Sequence, residues 1–320
     1  MRNHSAAAIA LGDKTKNTAR NLGLEVNLFA SRHVAERIAT EFPTNIPYHV
    51  KGGLLFPQTL RETADVDFVS IRRISNREMQ NAFKILAPFF AREGILIKSL
   101  SREPRELDVG LPNPVDRWKV EAFCGTVRAN TSIDFTWSNG RESVWAHNPP
   151  PPRFLERTSL IKGAPALRVH VQSYADAAAE RLLAVVMQPA SDLRCKNLSD
   201  AVNGHLWPDD LDCRAVARSL RRTMLYRGIP ASVASEFPET LKWTNLKRLE
   251  ADWNVSRNAA RSGLRFDEAF VDIHALWANV HAELRVEANR DFRRPSVAPG
   301  QADSFTMPSQ SAAPTYISKL

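Results

Sequence analysis

The alternation of apolar and polar positions changes period several times along the chain. Up to about residue 43 it is helical: Leu28, His33, Val34, Ile38 and Ala39 recur near helical spacing, and Pro43 closes the run. Residues 76–92 predict a second helical stretch, with Met79, Phe83, Ile85, Leu86 and Phe89 as its apolar positions and Pro88 near its end. Gly94 ends that stretch and Ile95-Leu96-Ile97 opens a strand. Residues 118–137 alternate like paired strands, with Ile133, Phe135 and Trp137 on one face and Asp134 on the other. Between the helical stretches, Val66, Phe68 and Val69 mark a strand that carries Asp65 and Asp67.

After His170 the period is helical again for most of the chain. Ser173-Tyr174-Ala175-Asp176 fits a capping box ahead of a helix over 177–187, and Pro189 stops it. Asn148 and the four prolines after it predict a stiff extended segment leading towards a second domain. From about residue 294 Pro, Ser, Gln and Ala dominate, which predicts a disordered tail. The expected fold class is α/β in the broad sense, a mixed α+β chain. A sheet with flanking helices would fill residues 1–165, a mostly helical domain 166–293, and the tail 294–320.

Composition narrows this picture a little. The chain has 320 residues, 43% hydrophobic and 24% charged, ordinary for a soluble protein of about two domains. A net charge of +8 suits an anionic partner, nucleic acid first, though a generic basic surface has the same signature. Cys124, Cys195 and Cys213 are scattered and lack metal-ligand spacing, so they read as reduced thiols of a cytoplasmic protein. No signal peptide is visible and no stretch reaches the roughly 20 apolar residues of a spanning helix, so no membrane is expected.

The acids carry the chemistry. Residues two apart on a strand share a face, so Asp65 and Asp67 project together, and Asp134 adds a third strand acid. Adjacent carboxylates repel, and a hard cation between them removes that cost. Lys51-Gly52-Gly53 just upstream gives a backbone that can approach a phosphate closely. Three carboxylates are what a two-metal site of Mg²⁺, or Mn²⁺, needs to clamp an in-line phosphoryl displacement. The plain alternative is a half-buried strand with solvent-facing acids. Arg214, Arg218, Arg221 and Arg222 fall on one helical face, and Arg227 extends the run. That stripe fits RNA phosphates, a solvated face, or an acidic protein partner. Trp253 and Trp243 lie among basic residues but suit core packing better. His274 and His281 share an apolar face with Phe270, Ile273, Trp277, Val280 and Leu284 and read as core or boundary histidines.

Taken in order, these segments resemble the nucleotidyltransferase AbiEii/AbiGii toxin family, within the polymerase-beta-like nucleotidyltransferase superfamily. Asn17-Thr18-Ala19-Arg20 with Gly23 resembles its leading helix, and Ala35-Glu36-Arg37 its Glu-Arg helix. Val50-Lys51-Gly52-Gly53 with Arg61, Thr63, Asp65 and Asp67 resembles its nucleotide-binding motif, and Ile133-Asp134 its third-acid strand. Ala179-Glu180-Arg181-Leu182 and the segment from Arg194 through Lys196 and Asn197 to Asp200 resemble its two later motifs. Leu54, Arg181 and Asn197 depart from the family's usual small hydroxyl residue, Lys and acid. The resemblance implies a metal-dependent enzyme that moves a nucleoside monophosphate from a nucleoside triphosphate to an acceptor hydroxyl. Asp65, Asp67 and Asp134 would hold two Mg²⁺ ions. Lys51, Gly52, Gly53, Arg61, Thr63, Arg181, Lys196 and Asp200 would bind the nucleotide. It also implies a bacterial toxin–antitoxin or phage-defence pair with a cognate antitoxin protein. Some relatives modify the 3′ end of tRNA, an acceptor that suits the arginine stripe.

Overall fold

Two helices precede the sheet where one helical run was expected. The computed structural model describes residues 5–43, 48–70, 73–103, 115–137, 153–187, 192–203, 211–226, 229 and 246–293. Helix α1 (Ala6–Asn21) is capped by Ser5, and the chain turns at Gly23, whose φ is +64°, before α2 (Val26–Glu41). Helix α3 (Asn76–Glu93) starts at a Ser75–Glu78 capping box and ends on Gly94 in the left-handed conformation. Pro88 stays inside it. Its buried positions include Met79, Phe83 and Leu86, whereas Ile85 and Phe89, expected on the apolar face, are exposed.

Seven strands form one mixed sheet in the order β3-β4-β5-β2-β1-β7-β6. They are β1 (Tyr48–Lys51), β2 (Val66–Ser70), β3 (Ile95–Glu103), β4 (Val115–Cys124), β5 (Val127–Trp137), β6 (Arg153–Arg157) and β7 (Leu167–Val171). The expected paired strands are β4 and β5, joined by a turn at Gly125-Thr126. Alternation sorts the side chains by face. Trp118, Phe68 and Phe135 are buried and pack in an aromatic cluster with Phe42 and Tyr48; Phe68 and Phe135 stack at 4.7 Å between ring centroids. α2 lies against β5, β7 and β4, and α3 against β3. The acids therefore emerge on the face away from the aromatic cluster. β2 starts at Val66, so Asp65 sits just ahead of the strand rather than on it.

The rest of the described chain is helical: α4 (Tyr174–Met187), α5 (Asp192–Val202), α6 (Cys213–Tyr226), α7 (Leu246–Val255), α8 (Arg257–Ser262) and α9 (Phe266–Arg293). Ser173 caps α4 through the Asp176 N–H, as the capping pattern predicts. One apolar cluster spans the sheet and its helices as far as Ala177, and a second runs from Ala178 through Val280. Trp253 and Trp277 are buried in the second cluster; His274 lies edge-on to Phe270, and His281 stacks on Trp277, as boundary positions. The three cysteines are free thiols. Among the described residues no helix is long and apolar enough to cross a membrane. The proline run at 149–152, Pro189, Arg227, Trp243 and the segment from 294 lie outside the described residues.

Candidate functional site

Strand register alone builds a row of charges across five strands. Glu103 on β3 faces Arg117 on β4, Arg117 faces Asp134 on β5, Asp134 faces Asp67 on β2, and Asp67 faces Lys51 on β1. The signs run minus, plus, minus, minus, plus. The two like charges in the middle come from neighbouring parallel strands, which brings the second and third expected acids together. Asp65 flanks them from the loop before β2.

These carboxyls feel burial and each other. Desolvation lifts the Asp67 carboxyl to about 6, with Asp134 and Asp65 adding to the rise and Lys51 and Arg181 opposing it. Asp65 is raised as well, by desolvation and then by Asp134, against Arg117 and hydrogen bonds from Ser132. Asp134 is held differently. Arg117 grips it with two parallel bonds, Nε to Oδ1 at 2.6 Å and Nη2 to Oδ2 at 2.5 Å. As the side chains stand, the described residues include no group of three or more His, Cys, Asp or Glu close enough to hold a metal ion. Burial and mutual repulsion would favour a hard divalent ion at Asp65 and Asp67, whereas Asp134 already has its counter-charge in Arg117.

The glycine pair is placed by backbone contact. Gly52 has φ +75°, and a β-carbon there would land on Asp67 Oδ2. A β-carbon on Gly53 would lie 2.7 Å from Thr63 Cγ2. The turn that follows, Gly52–Leu55, is fixed from behind. Fully buried Arg32 donates to the carbonyls of Gly53 and Phe56 at 3.1 and 2.8 Å, and Arg157 donates to the Leu54 carbonyl at 3.0 Å. Glu36 accepts from both arginines, at 2.8 and 2.9 Å. Burial lowers Arg32 to about 10, so it stays charged at neutral pH. Leu54 is fully buried, so this position packs into the core.

The helical lobe reaches the acids through α4 and α5. Glu180 pairs with Lys51 at 3.9 Å. Arg181, next to it, donates to Asn197 at 3.1 Å and pairs with Asp200 at 3.2 Å. The resemblance assigns Arg61 and Asp200 to a nucleotide, with a structural ion-pair network of Arg181, Lys196 and Asp200 as the other reading. In the structure Arg61 and Asp200 close on each other, at 2% and 1% exposure, with Arg61 Nε 2.7 Å from Asp200 Oδ1. The physical reason is that a guanidinium sealed from water needs a counter-charge within reach. Lys196 sits half-buried on α5. Arg181 remains close enough to Asp67 to favour its charged form.

The arginine stripe is less uniform than its spacing suggests. Arg218 and Arg221 are exposed on α6. Arg214 turns to Glu283 on α9 at 3.1 Å, and Arg222 to Asp176 at 2.9 Å. Sequence reasoning missed Arg117, Arg32 and Arg157. The first could have been found by counting equally outward from the Gly125-Thr126 turn, which sets Arg117 opposite Asp134. The other two carry no local pattern.

No family model matches this chain, and no curated protein does. Among solved structures it is similar to JHP933 from Helicobacter pylori, with 10% identity, 90% of this chain and 97% of that one covered, and a TM-score of 0.41. It is also similar to MenT4, a nucleotidyltransferase toxin from Mycobacterium tuberculosis, with 15% identity, 84% and 98% covered, and a TM-score of 0.44.

Proposed function

We propose that this chain is a metal-dependent nucleotidyltransferase that moves a nucleoside monophosphate from a nucleoside triphosphate to an acceptor hydroxyl. The observation that carries the reading is the in-register pair Asp67–Asp134, with the Gly52 backbone against Asp67. Asp65, Asp67 and Asp134 would hold the divalent ions. Bound there, Mg²⁺ or Mn²⁺ would neutralise triphosphate charge and make the acceptor hydroxyl easier to deprotonate. The hydroxyl would give up its proton to solvent and bond through its oxygen to the α-phosphorus, as the bond from that phosphorus to the α,β-bridging oxygen breaks and pyrophosphate leaves. The chain's own part is placement and charge: Lys51, Arg181 and Lys196 supply cations near the triphosphate, and the Gly52-Gly53 backbone and Thr63 bound its site. Arg218 and Arg221 would meet the phosphates of an RNA acceptor, with the tRNA 3′ end as the acceptor we favour. The sequence resemblance supports a toxin with a cognate antitoxin protein, in a toxin–antitoxin or phage-defence pair.

The test is incubation with Mg²⁺, total tRNA and each labelled triphosphate in turn. Label on RNA, absent with Asp67→Asn, is the expected result. A second reading, a nucleotide-binding regulatory protein without turnover, has one observation in its favour: Arg117 occupies Asp134 on both oxygens. Triphosphate binding with no label on RNA, protein or small molecules would establish it instead.

A further inference from the structure

We infer that Arg117 is the built-in counter-ion of the third acid, and that it sets how tightly the acid trio takes a divalent cation. The inference rests on the metal-dependent reading above and names a residue which that reading does not use.

Arg117 and Asp134 are cross-strand partners, and both carboxylate oxygens face the guanidinium fork. The acid is the buried member and the arginine the accessible one, with side chains 11% and 30% exposed. The guanidinium can therefore swing towards water on its flexible stem, while the carboxylate is fixed on a central strand. Its charge reaches Asp65 as well as Asp134. On the other side of the trio Lys51 serves Asp67, but it is also paired with Glu180. Arg181 adds a further positive charge near Asp67, but among the described residues it is Asp134 of the trio that is held on both oxygens, by Arg117.

A divalent ion arriving at Asp134 meets a site already neutralised. Two cations on one carboxylate repel, so the ion must take at least one oxygen from Arg117. Those charge-assisted bonds oppose metal entry, and removing them should tighten it. In the metal-free protein the same removal leaves three carboxylates facing one another with less compensation, which weakens the fold. One residue thus trades metal affinity against metal-free stability.

The experiment is titration with Mn²⁺ alone, followed by calorimetry and by thermal unfolding, on the full chain. Arg117→Gln is expected to bind Mn²⁺ about tenfold more tightly, the loss of one charge-assisted interaction. Its metal-free Tm should fall, and the rise on adding Mn²⁺ should exceed that of the wild type. Arg117→Lys keeps the charge but cannot hold both oxygens, so it should gain less, and it serves if the glutamine variant does not fold. Adding Asp134→Asn to Arg117→Gln should cancel the gain. Equal or weaker Mn²⁺ binding in folded Arg117 variants overturns the inference and leaves the metal-dependent reading standing. Absence of Mn²⁺ binding in the wild type and in every variant removes both.

Discussion

Arg61 and Asp200, 139 residues apart in sequence, meet at 2.7 Å where the sheet lobe and the helical lobe join. Arg181 approaches the other Asp200 oxygen at 3.2 Å, and Arg61 also donates to the Glu62 carbonyl. A carboxylate this enclosed cannot lose its partners cheaply. Asp200→Ala should destabilise the chain by about 3–5 kcal/mol, because it removes the buried carboxylate that Arg61 and Arg181 share. Pairing it with Arg61→Met should recover part of that loss. Urea unfolding of the single and double variants measures both.

Asp67 makes the opposite prediction for stability. Its folded carboxyl titrates near 6, above the usual carboxylate value, so the folded protein bears an unfavourable charge at neutral pH. The cost is present above pH 6 and is relieved as pH falls towards the unfolded value near 4. Asp67→Asn should therefore raise the metal-free Tm at pH 7.5 while abolishing pyrophosphate release. A drop in Tm together with retained turnover would remove Asp67 from the centre of the site.

Gly52→Ala tests the backbone contact. The new methyl group would displace the Asp67 carboxylate, and the positive φ adds strain of about 1–2 kcal/mol. Transfer should fall by about two orders of magnitude with the circular dichroism spectrum unchanged. Activity within twofold of wild type would show that the turn has room to spare.

For the arginine face, Arg218→Glu with Arg221→Glu should weaken RNA binding and leave triphosphate binding intact. The slope of log affinity against log salt should shrink by about 2, one for each lost phosphate contact. Filter binding across a salt series reads it. An unchanged slope assigns this face to solvent or to a protein.

Acid should also weaken the fold through His33. This imidazole is buried between Arg37, Glu36 and Glu93, and desolvation pulls it down to about 4. The unfolded chain takes up a proton near 6.5 and the folded chain does not, so stability is lost as pH falls from 6.5 to 4. Within that window the slope is about 1.4 kcal/mol per pH unit. His33→Gln should flatten this part of the stability–pH curve.

Patterns that depend on neighbours in sequence were readable directly. Alternation over 118–137 yields β4 and β5, the Ser173 and Asp176 spacing yields the α4 cap, and the glycine pair does lie against the second acid, Asp67. Register between distant strands was not readable. Nothing local places Asp67 beside Asp134, because β2 and β5 pair in parallel across intervening elements. The same holds for Arg32 and Arg157, whose value lies in carbonyls 21 to 103 residues away. For Arg61, a motif position was legible, but its burial against Asp200 depended on a helix from the other lobe.

The strand order has a consequence for the chain as the ribosome makes it. Asp67 emerges long before Asp134, and Asp200, which anchors Arg61, emerges later still. A nascent chain that ends before β5 has half of an acid pair and an arginine without its anchor. The candidate site can therefore be assembled only once translation has passed Asp200.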